Sequence, residues 1–301
     1  MTDFKFIKTE PITKGWSSDK KYHVTDSVGH QYLLRISSLD KYDTKKWEYA
    51  MMLKAYRLGV PMPEPINFGA CSQGVYCLQG WIEGMDAEAV IPTLPKAQQY
   101  VYGLEAGRIL KKIHSIPATN TQESWEVRFN RKIDRKIKLY TDCSIKYQNG
   151  ERLIEYINQH RYLLASRPQA YQHGDYHIGN MMIDSASRLN IIDFDRSDYG
   201  DPWEEFNRIV WCAQISPLFA SGMVNGYFEN KVPLEFWQLL ALYISSNTLS
   251  SLPWAVPFGQ SQIETMKSQE KEILQWYDNM QNVIPIWFSL YESTLNNHMQ
   301  E

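Results

Sequence analysis

Between Tyr171 and Asp201 the chain reads YQHGDYHIGNMMIDSASRLNIIDFDRSDYGD, and this stretch restricts the fold more than any other. Apolar runs at 181–183 and 191–192 flank a turn over 185–188, which predicts two short paired strands preceded by a loop. His173, Asp175 and Asn180 fall in or at the end of that loop, and Asp193 closes the second strand. Paired strand ends bring side chains distant in sequence to one place. Two carboxylates and an amide are therefore expected to converge. A buried hydrogen-bond network with no chemical task is the plain alternative.

Asp175 and Asn180 stand in the order D-x-x-x-x-N. A kinase catalytic loop has that spacing, with the Asp receiving the substrate hydroxyl proton and the Asn holding Mg²⁺. Asp193-Phe194 then takes the place of the metal-binding Asp in D-F-G. Phosphoryl transfer asks the protein for position and charge neutralisation rather than covalent work. One carboxylate must steer the nucleophile, while a second carboxylate and an amide suit Mg²⁺, a hard ion that prefers oxygen. A rival reading makes His173, Asp175 and His177 a zinc cluster, yet such sites need three ligands with supporting partners. The other histidines, His23, His30, His114, His160 and His298, are scattered without ligand spacing.

HGDYHIGNMMI followed by IIDFDRSDYGDP resembles the aminoglycoside phosphotransferase family, whose relatives include choline, methylthioribose, homoserine and fructosamine kinases. Its signature is H-G-D-x-x-x-x-N, an apolar strand and I-D-[FW], and the general layout fits from about residue 7 to 287. The resemblance implies an α+β, protein-kinase-like, two-lobed fold. A small antiparallel sheet lobe would bind nucleotide over 1–82, and a larger, mainly helical lobe would carry catalysis and the acceptor over 83–301. It also implies transfer of the γ-phosphoryl group of ATP or GTP, with Mg²⁺, to a hydroxyl of a small molecule. Asp175 would orient and deprotonate that hydroxyl, His173 would brace the loop, and Asn180 and Asp193 would hold the metal. The acceptor half of the family is variable, so a metabolic kinase for choline, homoserine or a sugar is the near alternative. A catalytically inactive nucleotide-binding scaffold is a further one.

The first 82 residues support the nucleotide lobe. Strands are expected at 7–12, 21–25, 31–37, 65–71 and 74–82, with a helix over 42–58. The loop KGWSSDK lacks a G-x-G-x-x-G pattern, but Ser17 and Ser18 offer hydroxyls and backbone N–H groups to phosphates; a plain hairpin turn would look the same. The third strand, YLLRIS, has Arg35 where many kinases place a Lys. Arg keeps its charge and grips with a planar fork, and Glu48 on the helix is the expected pairing carboxylate. The resemblance makes the last expected strand a hinge, with Gln79 to Ile82, Trp81 among them, presenting backbone to the nucleobase.

Helices are expected from 95 to 114, over 128–138 and 151–166, after Asp201, and at 234–246, 263–280 and 283–297. Asp201, Glu204 and Glu205 are explained by a helix start and its positive dipole end. Segment 128–138 carries six basic residues among eleven and reads as a solvated amphipathic helix. The uncharged stretch 236–263 is long enough to raise a membrane question, but its Gln, Ser, Asn and Pro residues argue for a buried helix and a turn. Four cysteines without a C-x-x-C pair and an N-terminus without an apolar run fit a cytoplasmic protein with reduced thiols.

Residues 1–170 hold 25 Lys and Arg against 18 Asp and Glu, and residues 171–301 hold 6 against 16. A basic half and an acidic half suit a polyphosphate donor and a small cationic acceptor. Candidate carboxylates for that acceptor are Asp198, Glu235 and Glu264. Nucleic acid is not an expected partner, because the acidic half would repel phosphates, and no membrane association is expected; oligomeric state is left open.

Overall fold

The computed structural model describes residues 5–13, 18–119 and 122–288. In chain order these form β1 (Phe6–Ile12), β2 (Lys20–Asp26), β3 (Gln31–Ser37), α1 (Tyr42–Arg57), β4 (Pro65–Cys71), β5 (Gly74–Gly80), β6 (Gly84–Asp86) and α2 (Ala87–Val90). Then come α3 (Lys96–Ile113), α4 (Trp125–Asp142), α5 (Gly150–His160), β7 (Ala170–Gln172), β8 (Met181–Asp184), β9 (Leu189–Ile191) and β10 (Asp198–Gly200). The chain continues with α6 (Ile209–Ile215), α7 (Pro217–Phe228), α8 (Leu234–Ala255) and α9 (Gln260–Trp276). The expected helix over 283–297 falls largely outside the described residues.

The chain divides into two compact units, one of residues 1–90 with 180–197 and one of residues 91–179 with 198–301. The sequence expectation was a single cut after residue 82. The grouping differs because β6 pairs antiparallel with β8, and β8 with β9, so a three-stranded sheet joins residues on both sides of that cut to the first unit.

In the first unit, five antiparallel strands lie in the order β1-β2-β3-β5-β4. Arg35 sits mid-sheet, opposite Lys21 on one side and Cys77 on the other. α1 buries Glu48, Met51, Met52 and Ala55, the i, i+3, i+4, i+7 stripe of a helix lying on a sheet. Tyr42 and Tyr49 of α1 pack on Phe68 of β4, each with ring centroids 5.5 Å apart. Glu48 is the one carboxylate in the buried stripe, which fixes where its charge must be matched.

In the second unit, α8 is buried almost all round, so its run of apolar residues is a core helix. Among the described residues no helix is long and apolar enough to cross a membrane. α3 and α7 approach through facing glycine pairs, Gly103 and Gly107 on one and Gly222 and Gly226 on the other. A Cβ on Gly107 would lie 2.1 Å from the Met223 carbonyl oxygen, and one on Gly226 would lie 2.2 Å from that of Leu104. Backbone cannot yield as a side-chain tip can. Gly226→Ala is expected to destabilise the protein by roughly 1–3 kcal/mol or more through overpacking, read as a lower urea midpoint at unchanged m-value. A wild-type midpoint would show that the helices move apart freely.

Candidate active site

Asn180 and Asp193 are placed by one hairpin. Met181 pairs with Ile191 across β8 and β9, and just beyond that pair the Ile192 N–H donates to the Asn180 carbonyl at 3.0 Å. Asn180 leads into β8 and Asp193 follows β9, so both belong to the same hairpin end. Asp193 holds a left-handed backbone, φ +68°, a conformation Asp tolerates better than most residues and one that turns the chain sharply after the strand.

Arg35 of β3 reaches this end. Its Nη1 donates to Asp193 Oδ1 at 2.8 Å, its Nη2 is ion-paired with Asp195, and Asp19 lies 3.7 Å away. Arg35 is buried, as are Asp19 and Glu48. The expected Arg35–Glu48 pair is not formed. Glu48 is held instead by Lys45 at 2.8 Å, and that same ammonium lies 3.5 Å from Asp19 and 3.8 Å from Asp195. Arg35 therefore answers the carboxylates after β9, while the helix supplies its own cation three residues before Glu48. Burial raises the Glu48 carboxyl above its ordinary value, with Lys45 and Arg35 opposing. These groups wall a cavity of ≈ 20 Å³ together with Ser37, Cys77 and Gln79, about the room one water needs. The signal for Lys45 was present in the i, i+3 spacing to Glu48.

Ser17 lies outside the described residues. Ser18 is exposed and its hydroxyl accepts from Lys41 Nζ at 3.2 Å. Gln79 is buried in β5 between β3 and β4. The Gly80 N–H donates to Glu64 O at 2.8 Å and the Trp81 N–H to Gln31 O at 3.2 Å; the Trp81 ring stacks on His23, centroids 3.9 Å apart. Those two N–H groups are thus committed within the sheet region rather than presented outward.

In the second unit, β7 pairs with β10 and delivers the chain to His173. Glu205, itself buried, accepts from the His173 N–H at 2.6 Å and the Gly174 N–H at 2.8 Å. Gly174 has φ +85°, which a residue with a Cβ adopts only under strain. His173 is wholly buried, and its Nδ1 accepts from the Asp175 N–H at 3.3 Å. The carboxylate of Asp175 meets Arg208, Nε to Oδ1 3.1 Å, with His177 Nε2 at 3.8 Å. Asp175 is thus fixed through its backbone by His173 and through its side chain by Arg208. Nothing local announced Glu205 or Arg208, since both arrive from about thirty residues downstream.

The dipole explanation of Asp201, Glu204 and Glu205 omitted their partners. Asp201 binds Arg167 and Tyr243, Glu204 binds Lys132 at 3.1 Å, and Glu205 holds the loop. The carboxylates expected to greet a cationic acceptor are each engaged separately. Asp198 pairs with Arg128 at 2.5 Å, Glu235 lies 3.5 Å from Arg167, and Glu264 accepts from Gln260 at 3.0 Å. Asp195 serves Arg35 and Lys45 in the first unit.

A five-stranded antiparallel sheet with one long helix, a separate helical unit, and the ordered Asp175, Asn180 and Asp193 define the protein-kinase-like class of phosphotransferases. The model of the phosphotransferase enzyme family that includes the aminoglycoside phosphotransferases matches residues 8–237, and the chain belongs to that family. Solved structures of the same fold include the ternary complex of a thermostable aminoglycoside phosphotransferase APH(4)-Ia with ADP and hygromycin B, at 15% identity and TM-score 0.64, covering 90% of this chain and 94% of that one. A choline/ethanolamine kinase family protein from Mesorhizobium loti aligns at 17% identity and TM-score 0.65, covering 92% and 91%. The GDP complex of an aminoglycoside 2'-phosphotransferase-IIIa aligns at 16% identity and TM-score 0.63, covering 89% and 93%. No curated protein sequence matches.

Proposed function

We propose that this protein is a small-molecule kinase that transfers the γ-phosphoryl group of ATP or GTP to an alcohol. The observation that carries the reading is the hairpin end that holds Asn180 and Asp193 beside Arg35. A carboxylate and an amide oxygen are the donor set that Mg²⁺ takes, and the Asp193 side chain is 40% exposed, so a metal can reach it. When bound there, Mg²⁺ would neutralise charge on the β- and γ-phosphates. The first unit then acts as the nucleotide-binding lobe and the second as the catalytic and acceptor lobe. Solved relatives carrying ADP and GDP support a nucleotide donor of either base.

In the reaction the acceptor oxygen forms a bond to the γ-phosphorus while the bond from that phosphorus to the β–γ bridging oxygen breaks. The hydroxyl proton passes to Asp175, and the nucleoside diphosphate leaves. Arg208 and His173 keep the Asp175 carboxylate in one orientation, and Arg35 and Lys45 bring positive charge to the nucleotide side.

A panel of alcohols assayed with Mg·ATP and Mg·GTP tests the reading, with nucleoside diphosphate release and product mass as readouts. No turnover with any acceptor, alongside tight Mg-dependent nucleotide binding, would replace it with an inactive scaffold. Asp193→Ala is expected to lower Mg-dependent nucleotide affinity by about 100-fold or more, since loss of a mere outer-sphere partner already costs 10–100-fold. Titration calorimetry with and without Mg²⁺ checks this, and equal affinity in the variant would take Asp193 out of the metal site.

A further inference from the structure

His114 is a buried titratable group that the transfer as described does not use. It caps the C-terminal end of α3, with its side chain 3% exposed. Its Nδ1 lies 3.0 Å from the Tyr227 hydroxyl of α7, and its Nε2 faces Glu205 Oε2 at 3.6 Å. Among the described residues that Nε2 has no hydrogen-bond partner. Leaving a buried polar atom unbonded costs energy, so such an atom asks for a reason.

The geometry supplies one in Glu205. This carboxylate is buried, and its hydrogen bonds come from the backbone N–H groups of His173, at 2.6 Å, and Gly174, at 2.8 Å. Among the described residues, His114 is the one side chain that brings a basic nitrogen within 4.0 Å of it. A carboxylate only accepts, so the ring nitrogen turned toward it carries the proton and Nδ1 accepts from the Tyr227 O–H. The bond made by one ring nitrogen fixes the proton on the other. Tyr227 is well placed for that task. Burial pushes its phenol above the ordinary value, so it stays a donor, and its ring packs on Phe206 and Phe228 with centroids 5.0 and 4.9 Å apart. The glycine-lined approach of α3 and α7 brings it there, for a Cβ on Gly107 would lie 2.6 Å from the Tyr227 backbone nitrogen.

From Glu205 the line runs on to the base in short steps. Glu205 grips two consecutive N–H groups of the loop, and His173 Nδ1 accepts from the Asp175 N–H at 3.3 Å. A shift of the Glu205 carboxylate therefore moves Asp175.

We propose that His114 is a positioning residue for the transfer. Its Nε2–H, oriented by Tyr227, holds the Glu205 carboxylate against the loop and through it sets the direction of Asp175. The kinetic consequence rests on the kinase reading above, while the hold on the loop is measurable without turnover.

Amide substitutions separate the two ring nitrogens. The Gln amide reaches the place of Nε2, and the shorter Asn amide reaches only that of Nδ1. His114→Asn is expected to lower kcat by about 10- to 100-fold, the scale of a small misplacement far from the chemistry, with Mg·nucleotide affinity unchanged. His114→Gln should recover most of that loss. Both are assayed on the full chain with Mg·ATP and Mg·GTP against choline, homoserine and glycerol, with nucleotide affinity from calorimetry. In parallel, hydrogen exchange read by NMR follows the His173 and Gly174 amides. His114→Asn should lose protection there by about tenfold or more through local opening, and His114→Gln should keep it. Wild-type kcat and protection in His114→Asn overturn the inference. So does equal damage from Asn and Gln, or protection lost evenly along α3 and α7, which marks a merely structural residue. If the wild type phosphorylates none of the alcohols, the kinase reading loses support and the exchange result alone decides the hold on the loop. If His114→Asn does not fold, Tyr227→Phe takes its place, since it keeps the ring packing and removes the hydroxyl. Local loss of protection in that variant supports the inference, and wild-type protection overturns it.

Discussion

Asp175→Asn is expected to lower turnover by about 10²–10⁴-fold, the range that a positioned general base contributes. The amide keeps the size of the carboxylate but cannot take the hydroxyl proton. Its backbone N–H can still donate to His173 Nδ1, so the loop has no reason to collapse. Arg208 loses its charged partner at 3.1 Å, but its side chain is 24% exposed and water can compensate in part. The variant should therefore melt close to wild type and bind Mg·nucleotide with nearly unchanged affinity. The kinetic signature is a fall in kcat and kcat/KM together, as for a group acting in the transition state. Wild-type turnover in Asp175→Asn would remove this residue from its role. Loss of nucleotide binding would mean that it serves the donor instead.

Asp201→Ala is expected to cost about 3–5 kcal/mol of stability, the scale for stranding one member of a buried ion pair. Asp201 is fully buried and accepts from Arg167 Nε at 2.7 Å, Arg167 Nη2 at 3.1 Å and the Tyr243 hydroxyl at 2.6 Å. Its Oδ1 also takes the Trp203 N–H at 3.0 Å. Truncation leaves the Arg167 guanidinium, 10% exposed and lying over the Trp203 ring at 3.8 Å, with only the half-exposed Glu235, 3.5 Å away, for charge. Adding Arg167→Met should recover part of the loss, because no isolated charge then remains. Urea unfolding of the two single variants and the double one measures the coupling. A single variant within 1 kcal/mol of wild type, or a double variant whose losses simply add, would show that water reaches this pair.

Much of the local structure was legible because it follows from short-range pattern. β3 and β4 fall where alternation and turn residues put them, and α1 ends at Arg57, one residue inside the expected limit and before the prolines. The hairpin joining Asn180 to Asp193 was equally readable, since apolar runs about a turn define a register. α7 shows no amphipathic period, because apolar or uncharged residues stand on every face of it. Its glycines make sense only against those of α3.

The side chains that tune the site were harder to see. Arg35 was identified from its place in β3, but its partner was assigned by analogy with the Lys–Glu pair of other kinases. The structure gives Glu48 to Lys45 and turns Arg35 to Asp193 and Asp195. A longer, forked side chain reaches past the helix to the hairpin, and the helix satisfies its buried glutamate locally. Charge totals led toward a cationic acceptor. The three carboxylates named for it are each engaged separately, because a sum over 131 residues does not say which charges share a neighbourhood.

By itself, then, the sequence determined the order of the strands and most helices, and the hairpin bearing Asn180 and Asp193. All of these depend on residues within a few positions of one another, where backbone preference and apolar period act directly. Only the tertiary structure decided that Glu205 clasps the loop, that Arg208 holds Asp175, and that Lys45 rather than Arg35 answers Glu48. Those are electrostatic choices made across tens of residues. They are settled by which groups packing leaves out of water together, and no local pattern carries that information.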